Sequence, residues 1–292
     1  MSPGHIVIAL VCAAVWGFGF VPSKYAAEHM PPLFFLALRY AIIVACTIWL
    51  APVPRGHMRP IFFYALSLGI GHFGLFYVGL ELGVEATTAS IIWLTQVPFT
   101  TLLAFVLLGD RPGWRTLVGI AIALAGSAFL IGEPRISGEP LAITLVLLSY
   151  VLWGVSNVQA KRMPQLNPFA LNAWMALYSA PIMLALSLLL ERRQLGEWLV
   201  PDWRLHASLL YMALGSTVVG YGLWLFLLRR HPVSRTAPFL LLVPMFGALS
   251  SVLSLGEDIT WRTVASGLIT LGGVALIVVR RPATALTPHA EP

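Results

Sequence analysis

The sequence predicts an all-α integral membrane protein with ten transmembrane helices, arranged as two inverted five-helix repeats around a central cavity. Two observations predict that the protein lies in a membrane: 58% of the 292 residues are hydrophobic and only 10% are charged. Soluble domains carry about 25% charged residues, and a chain of this size could not bury so much apolar surface. A soluble enzyme, a disordered chain and a disulfide scaffold are therefore excluded. A third observation, a repeated set of motifs, predicts the two repeats.

Ten apolar runs give the predicted helices in order, each close to the roughly 20 residues that cross a bilayer. They cover residues 6–26, 32–51, 60–80, 86–108, 114–131, 140–160, 169–190, 206–228, 236–255 and 261–279. Proline, glycine and charged residues bound the runs. Because each run is continuously apolar and does not alternate, helices are favoured over a β-barrel.

Positive charges predict the orientation, since cytoplasmic connections are enriched in Lys and Arg. Eleven lie on the side that holds both termini: Arg55, Arg59, Arg111, Arg115, Lys161, Arg162, Arg229, Arg230, Arg235, Arg280 and Arg281. Six lie on the other side: Lys24, Arg135, Arg192, Arg193, Arg204 and Arg262. Both termini are therefore predicted to be cytoplasmic.

Repeated motifs predict an internal duplication. Trp16-Gly17, Val21, Lys24 and Pro31 recur 137 residues later as Trp153-Gly154, Val158, Lys161 and Pro168. Gly109, Trp114, Arg115, Thr116 and Gly126 recur 147 residues later as Gly256, Trp261, Arg262, Thr263 and Gly273. Val97-Pro98 recurs 146 residues later as Val243-Pro244. The sequence therefore predicts a first repeat over 1–137 and a second over 138–292.

The predicted repeats have opposite orientations in the membrane. Each contains five crossings, an odd number, so the second repeat begins on the side opposite to the first. Inverted repeats are typical of secondary transporters, because two related bundles in opposite senses give nearly equivalent inward-open and outward-open arrangements. The duplication therefore indicates transport by alternating access.

Arg39 is the predicted formal charge inside a span, roughly 10 Å deep at 1.5 Å per helical residue. Charged groups at such depth often mark a substrate path. A guanidinium there can hold a substrate carboxylate in a forked contact. The alternative is an arginine that extends towards the interface and pairs with Glu28, Glu81 or Glu85.

His72 is predicted to lie in the middle of the third span. It is either a hydrogen-bond donor or proton carrier in the cavity, or a neutral imidazole bonded to a neighbouring helix. No Asp or Glu is predicted near the centre of a span, which disfavours proton antiport through a buried carboxylate. Facilitated diffusion or substrate exchange is the expected mode.

Trp16 and Trp153 occupy equivalent positions, and each precedes a glycine that permits close packing. They are predicted to face each other across the cavity as its aromatic wall; simple packing between helices is the alternative. Further predicted wall residues are Trp93, Gln96, Tyr150, Asn157 and Tyr221. Pro98 and Pro244 interrupt matched helices and are predicted to act in gating, with a passive kink as the alternative.

Four sequence segments carry a family resemblance. They are Val15-Trp16-Gly17 leading to Lys24, Met30-Pro31-Pro32 followed by Leu38-Arg39, Val219-Gly220-Tyr221-Gly222, and Leu242-Val243-Pro244. The chain resembles the EamA family of the drug/metabolite transporter superfamily over nearly its whole length. It is most similar to bacterial exporters of amino acids, a group that includes exporters of cysteine and O-acetylserine and of aromatic amino acids. It departs from the family at Gly19, where related exporters often have Asn, and at His72, where many have Gln or another neutral polar residue.

The resemblance and the repeats together predict an inner-membrane exporter of amino acids and related small metabolites. Aromatic amino acids, threonine, methionine and cysteine derivatives are among the expected substrates, and a monomer is expected. Efflux of cationic drugs is the alternative, because aromatic walls bind cations; an intramembrane enzyme or a scaffold is a further one. No metal or cofactor is expected, since the sequence has no P-loop, dinucleotide loop or Cys/His cluster. No nucleic acid is expected, since no basic run exceeds two residues.

Overall fold

The computed structural model describes residues 1–82, 84, 93, 96–131, 140–192, 202–255 and 261–278. Predictions on Glu85, Arg135, Arg193, Gly256, Arg280 and Arg281 lie outside these residues, as do the side chains of Lys24, Glu28, Pro98, Arg262 and Thr263. All regular structure in the described ranges is helical. The prediction of an all-α chain is confirmed for this part of the protein.

The helices follow one another as the apolar runs indicate. The first seven are α1 (Pro3–Gly17), α2 (Phe20–His29), α3 (Pro32–Thr47), α4 (Met58–Tyr64), α5 (Phe73–Glu81), α6 (Gln96–Leu108) and α7 (Trp114–Ile131). The next seven are α8 (Pro140–Lys161), α9 (Pro168–Leu190), α10 (Trp203–Leu210), α11 (Gly222–Arg230), α12 (Val233–Thr236), α13 (Val243–Leu255) and α14 (Trp261–Val278). A 3-10 turn, Ile48–Leu50, ends α3, and another, Ala237–Leu242, joins α12 to α13.

Six helical stretches in the described ranges are long and apolar enough to cross a membrane. They are Pro3–Ser23, Pro32–Leu50, Met58–Glu81, Pro140–Lys161, Pro168–Leu190 and Trp203–Arg230. Four shorter apolar helices fall on the other predicted runs: Phe99–Leu108, Trp114–Gly126, Val233–Gly247 and Gly267–Leu276. Six of the ten predicted crossings therefore correspond to helices that are long and apolar enough to span a membrane. The other four crossings remain predictions.

The first run contains a turn that the prediction of one helix over 6–26 lacks. The turn separates α1 from α2 at Phe18 and Gly19, where the Gly19 amide donates to the Trp16 carbonyl at 3.1 Å. Pro22 has no N–H to donate to the carbonyl of Phe18, four residues earlier, so the regular helical ladder cannot continue through this point.

Two π-helical segments lie at matched places in the chain. Ala65–His72 joins α4 to α5, and Tyr211–Tyr221 joins α10 to α11. Their first residues are 146 positions apart, the same offset that relates Val97 to Val243. Because π segments are rare and frequently occur at functional sites, this matched pair marks the third and eighth predicted runs as places where function is expected.

Pro244 lies where a 3-10 turn gives way to α13. Proline cannot donate to the Leu240 carbonyl, which would be its partner in an α-helix. The Val243 amide donates to that carbonyl instead. The tighter 3-10 turn therefore gives the Leu240 carbonyl the hydrogen bond that Pro244 cannot donate. Pro98 is the third residue of α6, and residues 94–95 before this helix are outside the described ranges.

The helices pack in pairs that bring distant parts of the chain together. α7 packs along α14, α3 along α9, α1 against α13, and α6 against α8. α8 also contacts α5 and its preceding π segment, while α1 contacts the second π segment and α11. In the first pair the backbones are very close: a Cβ atom at Gly126 would lie 2.7 Å from the Thr270 nitrogen, and one at Gly273 would lie 2.6 Å from the Ala123 nitrogen.

Candidate functional site

Four aromatic side chains meet where α1, α8 and α11 converge. We call Trp16, Trp153, Tyr221 and Trp224 the aromatic cluster. The Trp16 ring centroid lies 4.9 Å from that of Tyr221 and 6.4 Å from that of Trp153, which it meets edge to face. Trp153 stacks on Trp224 at 5.7 Å. All four side chains are buried, and such offset and edge contacts are the favourable arrangements for aromatic rings.

Hydrogen bonds fix the orientation of the three indole rings. Each indole N–H donates to an oxygen on another helix or π segment. The acceptors of Trp16, Trp153 and Trp224 are the Ser216 carbonyl, the Tyr221 hydroxyl and the Asn157 amide oxygen, at 3.0, 3.0 and 2.7 Å respectively. Trp224 is absent from the predicted wall, although its place three residues after Tyr221, on the same helical face, could have indicated it.

Arg39 lies wholly inside the protein, with 0% of its surface exposed. Its Nε and Nη2 atoms donate to the Thr217 hydroxyl at 2.9 and 2.6 Å, and its guanidinium carbon lies 4.6 Å from the centre of the Phe73 ring. Nη1 is buried and has no hydrogen-bond partner. Among the described residues no carboxylate pairs with Arg39, and an unneutralised buried charge is costly.

Thr217 bonds directly to this arginine and Asn172 bonds to Thr217, and neither was a predicted site residue. Thr217 lies in the second π segment, and its hydroxyl donates to the Met212 carbonyl at 2.9 Å. The Asn172 amide nitrogen donates to the Thr217 carbonyl at 3.5 Å, while its Oδ1 atom is buried without a partner. Their selection depends on contacts between helices that sequence spacing does not determine.

His72 is buried at the end of the first π segment, where its Nδ1 atom lies 3.0 Å from the Ser149 carbonyl on α8. A carbonyl oxygen can only accept, so Nδ1 carries the proton in this contact. The ring centroid lies 4.7 Å from that of Phe73 and 5.6 Å from that of Tyr150. Tyr150 in turn meets Trp93 edge to face at 5.7 Å.

Phe73 connects these groups, and it too is absent from the predicted wall. Its ring contacts Tyr221 of the aromatic cluster at 6.0 Å, and it also contacts His72 and the guanidinium of Arg39. The structure thus joins eight of the nine predicted binding residues through a chain of direct contacts. Gln96, the ninth, lies within α6 and is fully buried.

Polar contacts join different helices at both ends of the bundle. At one end the Tyr25 hydroxyl donates to Asp202 Oδ2 at 2.6 Å, which holds the pKa of this carboxyl below its ordinary value. At the other end the His5 and His231 rings meet with 2.8 Å between Nδ1 and Nε2, and Asp110 Oδ2 accepts from the Ser234 amide at 3.0 Å.

The EamA-like transporter family model matches this chain twice, over residues 4–132 and 140–279. The chain belongs to this family. Membership identifies it as a multi-pass membrane protein of a transporter family, in agreement with the resemblance found in its motifs.

Three named relatives match between 77% and 97% of the chain. A Salmonella typhimurium protein named "Probable amino-acid metabolite efflux pump" is 32% identical over 97% of this chain and 99% of its own length. An Escherichia coli protein of the same name is 30% identical over 95% and 93%. A "Probable terminal-alkyne amino-acid exporter" of Streptantibioticus cattleyicolor is 25% identical over 77% and 74%.

A solved crystal structure matches this fold with a TM-score of 0.80, covering 95% of this chain and 97% of the other at 17% identity. At that identity the similarity concerns the fold alone.

Proposed function

We propose that this chain is a bacterial inner-membrane exporter of amino acids and related small metabolites. It crosses the membrane ten times, as two inverted repeats over 1–137 and 138–292, with both termini in the cytoplasm. It works by alternating access through facilitated diffusion or exchange. The efflux-pump names of the Salmonella and Escherichia relatives support export, and the two matches of the family model support a duplicated chain.

The packing of the helices supports the inverted arrangement. The contact of α1 with α13 has its counterpart in that of α8 with α6. The contact of α8 with the first π segment and α5 has its counterpart in that of α1 with the second π segment and α11. α7 with α14 and α3 with α9 each pair an element with its own counterpart. A two-fold axis between the repeats would produce this pattern, and the odd number of crossings proposed for each repeat puts that axis in the membrane plane.

Arg39 is the observation that carries the choice of substrate. A carboxylate placed at Nη1 would neutralise the buried guanidinium and accept the hydrogen bond that this nitrogen lacks. A cationic drug would meet the same charge with repulsion. The aromatic cluster alone favours both kinds of ligand, since its ring faces attract ammonium groups. The buried arginine therefore favours amino acids over cationic drugs.

The other predicted residues have supporting roles in this proposal. The aromatic cluster forms the apolar wall of the binding site, and His72 is a neutral hydrogen-bonding group of that wall. The two π segments and Pro244 are the places where the helices change conformation between inward-open and outward-open states. Pro98 has the matching role in α6.

Uptake into liposomes tests the proposal. Purified protein is reconstituted, and the uptake of labelled Thr, Met, Cys, Phe, Trp, Lys and Glu is compared with that of a quaternary amine and with empty liposomes. Uptake of neutral amino acids is expected. Preferred uptake of the quaternary amine would support drug efflux instead, and no uptake at all would support a scaffold or enzyme. Uphill accumulation driven by an imposed pH gradient would contradict facilitated transport.

A further inference from the structure

Buried polar atoms without partners gather where α6 packs against α8. We call Gln96, Thr100, Tyr150 and Asn157 the polar seam. Both amide atoms of Gln96, the hydroxyls of Thr100 and Tyr150, and the amide nitrogen of Asn157 are buried without a hydrogen-bond partner. Each of the four residues is at most 3% exposed. These five atoms lie on two contacting helices, and no group in the described part of the chain satisfies them.

Such a group is unusual because unsatisfied buried polar atoms destabilise a protein. Each costs about 1–3 kcal/mol, and the large majority of buried polar side-chain atoms in proteins have a partner. Gln96 is the extreme case, since it is 0% exposed and neither its donor nor its acceptor is used. The partner that these atoms lack can be supplied by ordered water or by a molecule that binds there.

The polar seam adjoins the aromatic cluster. The Asn157 amide oxygen accepts the hydrogen bond of Trp224 at 2.7 Å, which leaves its NH2 group for another partner. The Thr100 hydroxyl lies 3.4 Å from the position that a Cβ atom would take at Gly154, directly after Trp153 in α8. The seam and the cluster therefore share α8 and are in direct contact through Asn157.

The repeat-equivalent positions lack these polar groups, although two seam residues come from each half of the chain. At the offset of 146 residues, Gln96 and Thr100 correspond to Leu242 and Phe246. At the offset of 137, Tyr150 and Asn157 correspond to Ala13 and Phe20. All four counterparts are apolar. The scaffold can therefore be built without polar groups at these positions, which favours a role for them in binding.

We propose that the polar seam binds the neutral polar side-chain group of the substrate, a hydroxyl or an amide. The inference rests on the proposed export of amino acids, with the substrate carboxylate at Arg39. The amides of Gln96 and Asn157 can donate and accept, which suits a hydroxyl or amide, and no seam residue carries a formal charge to hold an ionised side chain. A site built to hydrogen-bond such a group rejects an analogue that lacks it.

Threonine and valine test this subsite, because they have nearly the same shape and differ by a hydroxyl in place of a methyl group. Initial uptake of each is measured with the full-length protein in liposomes. The wild-type protein is expected to favour threonine by roughly tenfold or more. Gln96→Leu and Thr100→Val, the first of which installs the counterpart Leu242 side chain, should reduce threonine uptake far more than valine uptake and bring the ratio towards one.

Two further variants separate binding from folding. Thr100→Ser keeps the hydroxyl and should keep the wild-type ratio. Thr144→Val makes the same change as Thr100→Val on an exposed residue of α8 whose hydroxyl already donates to the Pro140 carbonyl, and it should leave the ratio unchanged. Comparison of Thr100→Val with Thr144→Val shows whether loss of a threonine hydroxyl changes the uptake ratio only in the polar seam.

The outcomes distinguish this inference from the proposed function. A wild-type ratio near one, an unchanged ratio in Gln96→Leu and Thr100→Val, or an equal loss of both uptakes would overturn the seam as a subsite. In each of these cases wild-type uptake of neutral amino acids would still support an exporter. Absence of any amino-acid uptake by the wild-type protein would overturn both proposals.

Discussion

The contact of α6 with α8 and the contact of α1 with α13 are built alike but differ in chemistry. Each is made by a helix with a Trp-Gly pair, and the glycine lies at the contact with the other helix. At Gly154 the neighbours are Leu103 and Thr100, whereas at Gly17 they are Phe246, Val243 and Gly247. One contact carries the polar seam, and the other is apolar at the corresponding positions.

The difference shows that the two contacts share a packing frame and differ in the polar groups that it carries. Arg39 is likewise a polar residue that is present in one half only, because its counterpart 137 residues further on is Ala176. Its partner Thr217 corresponds to Gly71 at the offset of 146. A symmetric frame with polar groups in single copies would hold a substrate in one orientation, whichever side of the membrane the site faces.

Arg39→Gln is expected to have the largest effect on transport, because it removes the charge that binds the substrate carboxylate in the proposed function. A hydrogen bond to a charged group contributes about 1.5–3 kcal/mol, so uptake of neutral amino acids should fall by roughly tenfold to a hundredfold. Liposome uptake at equal protein content measures this. Arg59→Gln is the matched control, since Arg59 is exposed on α4. Equal uptake by Arg39→Gln and wild-type protein would remove Arg39 from the binding site.

Two substitutions in the aromatic cluster give the next largest expected effect. Trp16 lies on α1 of the apolar contact, and Trp153 lies on α8 of the contact that carries the polar seam. Trp16→Ala and Trp153→Ala each remove ring contacts and one interhelical hydrogen bond, so uptake by correctly inserted protein should fall by about tenfold, the equivalent of 1.4 kcal/mol. Trp203→Ala, which truncates an exposed tryptophan, should transport normally. Variants that reach the membrane and transport at the wild-type rate would contradict the wall assignment.

Much of the frame could be predicted from the sequence, because apolar run length and repeat offset are properties of the chain alone. The run over 114–131 became α7, and the matched Trp16 and Trp153 meet in the structure. The contacts of Phe73 and Thr217 with Arg39 could not be predicted, since they depend on how helices far apart in sequence are rotated against each other. The π segments were also missed, because a glycine-rich apolar run does not reveal where the helix widens.

The matched glycines Gly17 and Gly154 allow the two helix contacts to be compared by their effect on protein stability. A Cβ atom at Gly17 would lie 2.7 Å from the Val243 carbonyl oxygen, a backbone atom, whereas one at Gly154 would lie 2.8 Å from Leu103 Cδ1, the end of a flexible side chain. Gly17→Ala should therefore destabilise the protein by about 1–3 kcal/mol, and Gly154→Ala by less. Thermal unfolding in detergent measures both. The reverse order would show that the α1 and α13 contact is the looser of the two.

The smallest expected effect concerns the end of the bundle where His5 meets His231. Burial, with the positive charges of His5, the N-terminal amine, Arg235 and Lys161, lowers the pKa of His231. A histidine whose pKa is lowered by folding stabilises the contact while it is neutral, so the contact should weaken as the pH falls below the ordinary pKa range of histidine. Amide hydrogen exchange around residue 231 should rise a few-fold at low pH after correction for intrinsic rates. His231→Gln should abolish this pH dependence, and its persistence in that variant would assign it to another group.

Recognition of the substrate carboxylate at Arg39 is the central claim, and competition measures it most directly. Uptake of the neutral amino acid that the wild-type protein transports fastest is measured against two unlabelled competitors, the same amino acid and its carboxamide. We expect the free acid to compete and the carboxamide to fail, with this difference lost in Arg39→Gln. Equal competition by the two compounds in the wild-type protein would contradict the account.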